Sequence, residues 1–458
     1  MDKKLSASSY IAVGSMLFGL FFGAGNLIFP VHMGQEAGSA VWTATAGFLI
    51  TAIGLPFLGV VAIGVSKSDG LFDLAGRVHP VFAYGMTILL YLTIGPFFAL
   101  PRTATVSYEI GVDPFIPDDY KIAGLACFSL LFFAAALFFA LRPSKILTWV
   151  GKILNPLFLV FLAVLIITSF VRPMGSVNAA QVQDAYGSVP FFKGFTEGYN
   201  TMDALASLAF GIIVVRTLRG LGVNSPRSIA AGTLKSGFVS MVLMGLIYGC
   251  LAYIGASSMG SLKLSENGGI ALAQIARYYF SGWGGVLLAV IVTLACLKTA
   301  VGLITACAET FHGIFPNSLG YKAYAVVFTV ISCLIANVGL TQIIAFSIPV
   351  LMFLYPLAIA LILLAILSPL FQNRRCVYLL TILFTLFDAA ADFLSALPQG
   401  AAAQPAIQGI LGFYREFVPF FAIGMGWIVP MLVGLALGFA VYFLTRPGQK
   451  SRAGSKMR

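Results

Sequence analysis

From residue 10 to residue 444 the chain is a succession of apolar runs, most of them about 20 residues long, separated by short polar stretches. At 1.5 Å per helical residue, a run of that length matches the hydrocarbon thickness of a bilayer. Only 9% of the residues are charged and 59% are hydrophobic, with a mean hydropathy of +0.97. A soluble chain would carry about a quarter charged residues, so no arrangement of water-soluble domains fits. The chain reads as an all-α integral membrane protein.

The runs fall at 10–32, 40–65, 79–101, 121–141, 147–171, 200–219, 237–256, 284–308, 320–337, 343–369, 377–397 and 419–444, which predicts twelve transmembrane helices. Twelve crossings leave about 38 residues each, enough for a helix and a short loop. Large extramembrane domains are thereby excluded. The expected organisation is one polytopic domain over 1–444 and a basic cytoplasmic tail over 445–458. Lys3 and Lys4 ahead of an apolar stretch resemble a signal peptide, but the stretch is long and no small-residue cleavage site follows, so it is expected to remain as the first span.

The 27 Lys and Arg against 16 Asp and Glu give a net charge of +11. In a soluble protein that excess would suggest nucleic acid; in short loops it reports orientation. With the N-terminus inside, 19 basic residues fall in inner segments and 7 in outer ones (Arg102, Lys121, Arg172, Lys193, Lys263, Arg277 and Arg415), while Lys298 lies within a span. The bias predicts that both ends are cytoplasmic, which requires an even number of spans. The six cysteines form no CxxC pair and the three histidines are far apart, so no transition-metal site or disulfide framework is expected.

In the first span, Gly19, Gly23, Gly25, Asn26 and Pro30 gather helix-weakening residues at mid-membrane depth. A break there would aim the N–H groups of the resumed half-helix at an anion and the carbonyls of the first half at a cation. The alternative is a close-packing face, since Gly19 and Gly23 are four apart. In the sixth run, the segment from Gly198 to Gly211 places Asp203 near the start of a span, followed by Ser207 and Phe210. A carboxylate there is costly unless it is paired or functional, or lies just outside the span at the surface. Breaks in the first and sixth spans are what two inverted five-helix repeats would produce, over about 10–171 and 195–369, with two further helices at 377–444.

The eighth run carries Ala295, Lys298 and Thr299. A membrane threonine commonly bonds back to its own helix, and a lysine either snorkels to the interface or needs a partner or a water-filled path.

Gly23–Pro30, Val41–Ala44, Gly54–Pro56, Gly95–Pro96, Pro101–Ser107, Thr201–Asp203, Ala295–Leu297, Thr299–Gly302 and Cys307–Glu309 together resemble the bacterial branched-chain amino acid:cation symporters (LIVCS, BrnQ-type), and the likeness covers most of the chain. That family is similar to the LeuT-fold superfamily. The resemblance implies a 5+5 inverted repeat and alternating access around a midplane site. It also implies a Na+ site formed by carbonyls of Gly19, Phe22 and Ala295 and the Thr299 hydroxyl. Lys298 departs from the superfamily pattern, which has a small or hydroxyl residue there, so sodium and proton coupling both stay open.

The expected function is a secondary symporter in a bacterial inner membrane that imports leucine, isoleucine and valine. The substrate carboxylate would meet N–H groups at Gly23, Ala24, Gly25 and Asn26; the ammonium would meet carbonyls of the sixth span, Asp203 or Ser207; Phe210 would help line an apolar pocket. One methylene is worth only about 1–3 kcal/mol, so several branched aliphatics would be accepted. No cofactor is expected beyond Na+ or H+ as coupling ion, and no partners beyond these small molecules and membrane lipids. A polytopic membrane enzyme would need a clustered nucleophile, metal or acid–base set, and no HExxH, GxSxG or paired-carboxylate motif is visible. A channel would need a filter or charged pore rings, and none is visible either.

Overall fold

The computed structural model describes residues 5–23, 25–142 and 159–445, and every regular element among them is helical. α1 (Ala7–Phe21) ends at Phe22, whose ψ of 100° leaves the helical region, and α2 begins at Gly25 and runs to Ala37. After a single 3-10 turn, α3 (Val41–Leu49) passes through a π-helical stretch, Ile50–Gly54, into α4 (Leu55–Ser66). The connector α5 (Leu71–Gly76) leads to α6 (Pro80–Leu92), which joins α7 (Ala99–Gly111) through a second π-helical stretch, Thr93–Phe97. Pro96 and the non-helical Gly95 explain that irregularity. α8 (Lys121–Leu141) and α9 (Leu159–Val171) follow.

Short α10 (Asp184–Ser188) and α11 (Pro190–Glu197) lead through the 3-10 turn Gly198–Thr201 into α12 (Asp203–Gly220). Then come α13 (Pro226–Ser258), α14 (Gly268–Ile314), α15 (Tyr321–Ala336), α16 (Leu340–Leu367), α17 (Arg375–Ser395), the short α18 (Gln399–Ala402), α19 (Pro405–Phe417) and α20 (Ile428–Thr445). Side chains start two of the longest: Ser225 accepts from the Ser228 amide at 3.2 Å, and Asn267 accepts from the amides of Gly269 and Ile270 at 2.8 and 3.1 Å. Each satisfies amides that have no intrahelical partner.

Eight helical stretches among the described residues are long and apolar enough to cross a membrane; one of them, Gly25–Ser66, is α2, α3 and α4 in series. A further pair, Pro190–Thr201 and Asp203–Gly220, is bent by 47°, and Ala7–Gly19, Leu159–Val171 and Tyr321–Ala336 are shorter apolar helices. Outward faces stay apolar, as at Ile122 and Leu131 of α8, which are 86% and 71% exposed.

Several expected spans need correction. The runs placed at 237–256 and 284–308 are parts of the longer α13 and α14, the latter taking in Arg277, which was expected in an outer loop. The run placed at 79–101 continues as far as Gly111, because the small and hydroxyl residues of Pro101–Ser107 are buried inside the bundle. Arg102, expected in an outer loop, is therefore a core residue, 3% exposed. The run placed at 419–444 is shorter: Phe420 and Gly424 adopt left-handed φ of 67° and 73° around a 3-10 turn, so α20 starts only at Ile428. Residues 147–158, including Pro156, and the tail after Thr445 lie outside the described residues.

Close helix approach in the interior uses missing Cβ atoms. A Cβ at Gly34 of α2 would meet the Ala252 carbonyl of α13, and one at Gly255 of α13 would meet the Val31 carbonyl of α2. This reciprocal contact clamps α2 to α13 by the small-residue packing that membrane helices use where hydrophobicity gives no drive. α12 packs on α4, α7 on α14, and α17 on α16 and α20.

Candidate functional site

Two helix breaks face each other. The first lies between Phe21 and Gly25, and the second is the 47° bend at Met202, a non-glycine residue held at φ 60°. Such a strained backbone persists only where its surroundings hold it. Of the expected site residues, Ala24 lies outside the described residues.

Asn26 joins the breaks. Its Oδ1 accepts from the Gly23 amide at 3.0 Å, closing the turn across the first break. Its Nδ2 donates to Asp203 Oδ2 at 2.5 Å and also to the Tyr248 hydroxyl of α13. Asp203 is 4% exposed, so it does not lie at the protein surface ahead of the span. Burial of a carboxylate in this position is tolerated because the amide donates to it.

A cavity of about 80 Å³ opens between the breaks, lined by residues that include Gly23, Gly25, Asn26, Asp203 and Phe210 of the expected set. Phe21, Ile94 and Leu303 add apolar wall. Ser207 lies elsewhere: its hydroxyl donates to its own helix at Ala204 and abuts Gly59 of α4, and it is not among the lining residues.

Arg102 also lines this cavity. Its Nη1 donates to the Asn200 carbonyl at 2.6 Å, its Nη2 donates to Ser347 Oγ at 3.2 Å, and the guanidinium stacks over Phe29, 4.8 Å from the ring centroid. Nε is buried without an acceptor. No carboxylate among the described residues pairs with it. Sequence reasoning assigned Arg102 to a loop; the signal against that assignment was the small and hydroxyl run that follows it, which is too poor in charge for a solvated connection. Tyr248 carried no signal at all, being one tyrosine in a long apolar helix.

A smaller cavity of about 30 Å³ lies beside the first break and includes Gly19, Phe22, Ala295, Lys298 and Thr299 in its wall. That is room for one or two waters or a monatomic ion. Gly23 and Thr299 line both cavities, and a Cβ on Gly23 would stand 3.9 Å from Thr299 Cγ2. Thr299 donates to the Ala295 carbonyl at 3.2 Å, the expected bond back to its own helix, while its oxygen keeps lone pairs for a cation. Lys298 is half-buried, and no acidic residue among the described ones forms an ion pair with it.

Helices long and apolar enough to cross a membrane repeatedly, with a cavity between two helix breaks that carries one buried carboxylate and one buried guanidinium, fit a multi-pass membrane transporter. The branched-chain amino acid transport protein model matches residues 6–444, and the chain belongs to that family. It is 48% identical to the branched-chain amino acid permease BrnQ of Lactobacillus delbrueckii subsp. lactis over 95% of this chain and 97% of the relative, and 45% identical to BrnQ of Bacillus subtilis over 96% and 98%. The branched-chain amino acid transport system 2 carrier protein of Pseudomonas aeruginosa is 38% identical over 94% and 96%. Family and relatives are permeases and carriers, not enzymes. The fold is similar to those of the LeuT-fold transporters Mhp1, in its inward-facing conformation (TM-score 0.60, 15% identity, 97% and 96% covered), and MhsT in complex with L-phenylalanine (TM-score 0.51, 15% identity, 97% and 99% covered).

Proposed function

We propose that the chain is a secondary carrier importing leucine, isoleucine and valine, with the amino acid held between the two breaks and a coupling cation held beside the first. The observation that carries this reading is the pairing of one buried carboxylate, Asp203, and one buried guanidinium, Arg102, on the wall of a cavity that is otherwise largely apolar. A zwitterion presents the opposite charges. Its ammonium goes to Asp203, its carboxylate to Arg102 and the amide at Gly25, the Gly23 amide being held by Asn26, and its branched side chain to Phe21, Ile94, Phe210 and Leu303. Burial without pairing would penalise each charged side chain, so substrate binding compensates two costs at once.

The helices are read as twelve spans in a 5+5 inverted repeat with α17 and α20 appended, and both termini as cytoplasmic in a bacterial inner membrane. The basic-residue bias supports that orientation, more strongly with Arg102 removed from the outer loops.

For the coupling ion, sodium is the first reading, because Gly19, Phe22, Ala295 and Thr299 share one small cavity. A second reading is favoured by Lys298, which stands on the same wall with no carboxylate among the described residues in an ion pair with it. Its ammonium would then occupy the cation's place and a proton gradient would drive transport. Uptake of radiolabelled leucine into proteoliposomes under separately imposed sodium and proton gradients tests both. Accumulation under a sodium gradient alone supports the first. Accumulation under a proton gradient in sodium-free medium supports the second, and absence of leucine uptake or counterflow under either overturns the carrier reading.

A further inference from the structure

α17 carries two carboxylates one helical turn apart, Asp388 and Asp392, each 1% exposed. Residues four apart share a helix face, with Cβ atoms about 5–6 Å apart. All four carboxylate oxygens are buried without a hydrogen-bond partner, and no Lys, Arg or His among the described residues pairs with either side chain.

Aromatic side chains and close backbone lie near the pair. A Cβ on Gly426 would lie 2.9 Å from Asp388 Oδ1 and 3.0 Å from Oδ2, so the absent side chain lets the chain ahead of α20 press its backbone against that carboxylate. The next residue, Trp427, buries its Nε1–H without an acceptor. The hydroxyl of Tyr199, a residue 2% exposed, comes from the 3-10 turn before Met202, with Trp427 as its neighbour and Asp392 within electrostatic range. From α16, Tyr355 stacks on Tyr199 with centroids 4.1 Å apart, and its own hydroxyl is unpartnered. From α19, Tyr414 also faces the pair, but its hydroxyl donates to the Phe387 carbonyl at 3.0 Å, and Arg415 and Glu416 beside it are exposed. One turn past Asp392, Ala396 lines an open cavity of about 270 Å³ together with Lys193, Glu197, Asn200 and Gly424.

Two ionised carboxylates this close, buried and without a cation, repel each other and forgo their hydration. Interacting carboxyls of this kind titrate as a pair, and one proton held between them removes the repulsion. We propose that Asp388 and Asp392 form a proton-binding site that exchanges its proton with water in the cavity at Ala396, and whose occupancy biases the bend at Met202 through Tyr199. The step is simple: a carboxylate oxygen takes H+ from the cavity water and becomes a carboxylic acid, and no other bond is made or broken. When the proton leaves, the O–H of Tyr199, which lies within electrostatic range of Asp392, is a candidate donor for the charged pair. The link to the bend rests on the transport function proposed above; the protonation site itself does not.

The full-length protein in lipid nanodiscs, followed by infrared spectroscopy across a pH series, tests the site. The expected result is a protonated-carboxyl C=O band in the wild type that titrates with pH, changes its frequency and midpoint in Asp388→Asn and in Asp392→Asn, is lost when both are asparagine, and is retained in Asp392→Glu. Leucine uptake into proteoliposomes at saturating sodium tests the link: both asparagine variants should lose the wild-type pH dependence of net uptake while keeping counterflow. An unchanged carboxyl band in both asparagine variants overturns the site. An unchanged pH profile overturns the link to Met202, and wild-type protein that moves no leucine fails the function proposed above while the infrared result still stands.

Discussion

The Asn26 amide donates to the Asp203 carboxylate at 2.5 Å across two helix breaks whose residues are 177 apart in the chain. Asn26 also holds the Gly23 amide, so one side chain fixes the local turn of the first break and docks it on the second. Any movement that parts α2 from α12 must break this bond inside a low-dielectric interior, where an unmade hydrogen bond is expensive.

Asp203→Asn should therefore reduce leucine uptake at least about tenfold, corresponding to about 1.4 kcal/mol. Asn26→Ala should do the same, and the double variant should be no worse than either single one, because both remove one shared contact. Initial rates in proteoliposomes measure this. Wild-type rates in Asp203→Asn would make the carboxylate a packing residue.

Gly25 lines the larger cavity, and a Cβ there would already stand 3.2 Å from Phe29 and 3.8 Å from the Thr201 backbone. Gly25→Leu fills the space between the breaks. Leucine uptake should disappear while membrane insertion, read by fluorescence-detected size exclusion, is retained. Transport at the normal rate would remove the substrate from this cavity.

Arg102→Lys keeps the charge but loses the fork that bonds Asn200 and Ser347 together. The half-saturating leucine concentration should rise about tenfold or more, since hydrogen bonds to charged groups contribute roughly 1.5–3 kcal/mol. A rise in KM with a smaller change in maximal rate is expected of a residue that binds the substrate carboxylate. An unchanged KM would leave Arg102 a purely structural strut.

If sodium sits beside the first break, Thr299→Ala should raise the sodium concentration for half-maximal uptake and Lys298→Ala should have a smaller effect. If the Lys298 ammonium stands there, Lys298→Ala should abolish proton-driven accumulation in sodium-free medium. The two variants assayed under both gradients give opposite patterns.

How much of this was legible varied with the kind of signal. The break in the first span was readable because Gly23, Gly25, Asn26 and Pro30 all weaken a helix locally, and helix weakness is a property of the residues themselves. The run at 121–141 coincides with α8 because nothing but apolar length decides it. Arg102 was misplaced because charge was read as exposure, whereas Asn200 and Ser347, far away in sequence, supply its acceptors. Ser207 looked like a site residue beside Asp203 and Phe210, yet its position on α12 turns it toward Gly59. The expectation of no paired carboxylates was wrong: Asp388 and Asp392 stand four apart in the run at 377–397, a spacing that was legible, but their burial away from any cation among the described residues was decided by packing.

The sequence by itself determined the membrane, the helical class, the family and the location of the first break, since apolar length and local helix propensity act along the chain. Only the tertiary structure decided which polar groups meet. Asn26 finds Asp203 and Tyr248, Arg102 enters the same cavity as Asp203, and Lys298 joins Gly19 and Thr299, through contacts between helices far apart in sequence. Inside a bilayer such encounters decide whether a buried charge is tolerated, and they depend on helix packing that no single segment encodes.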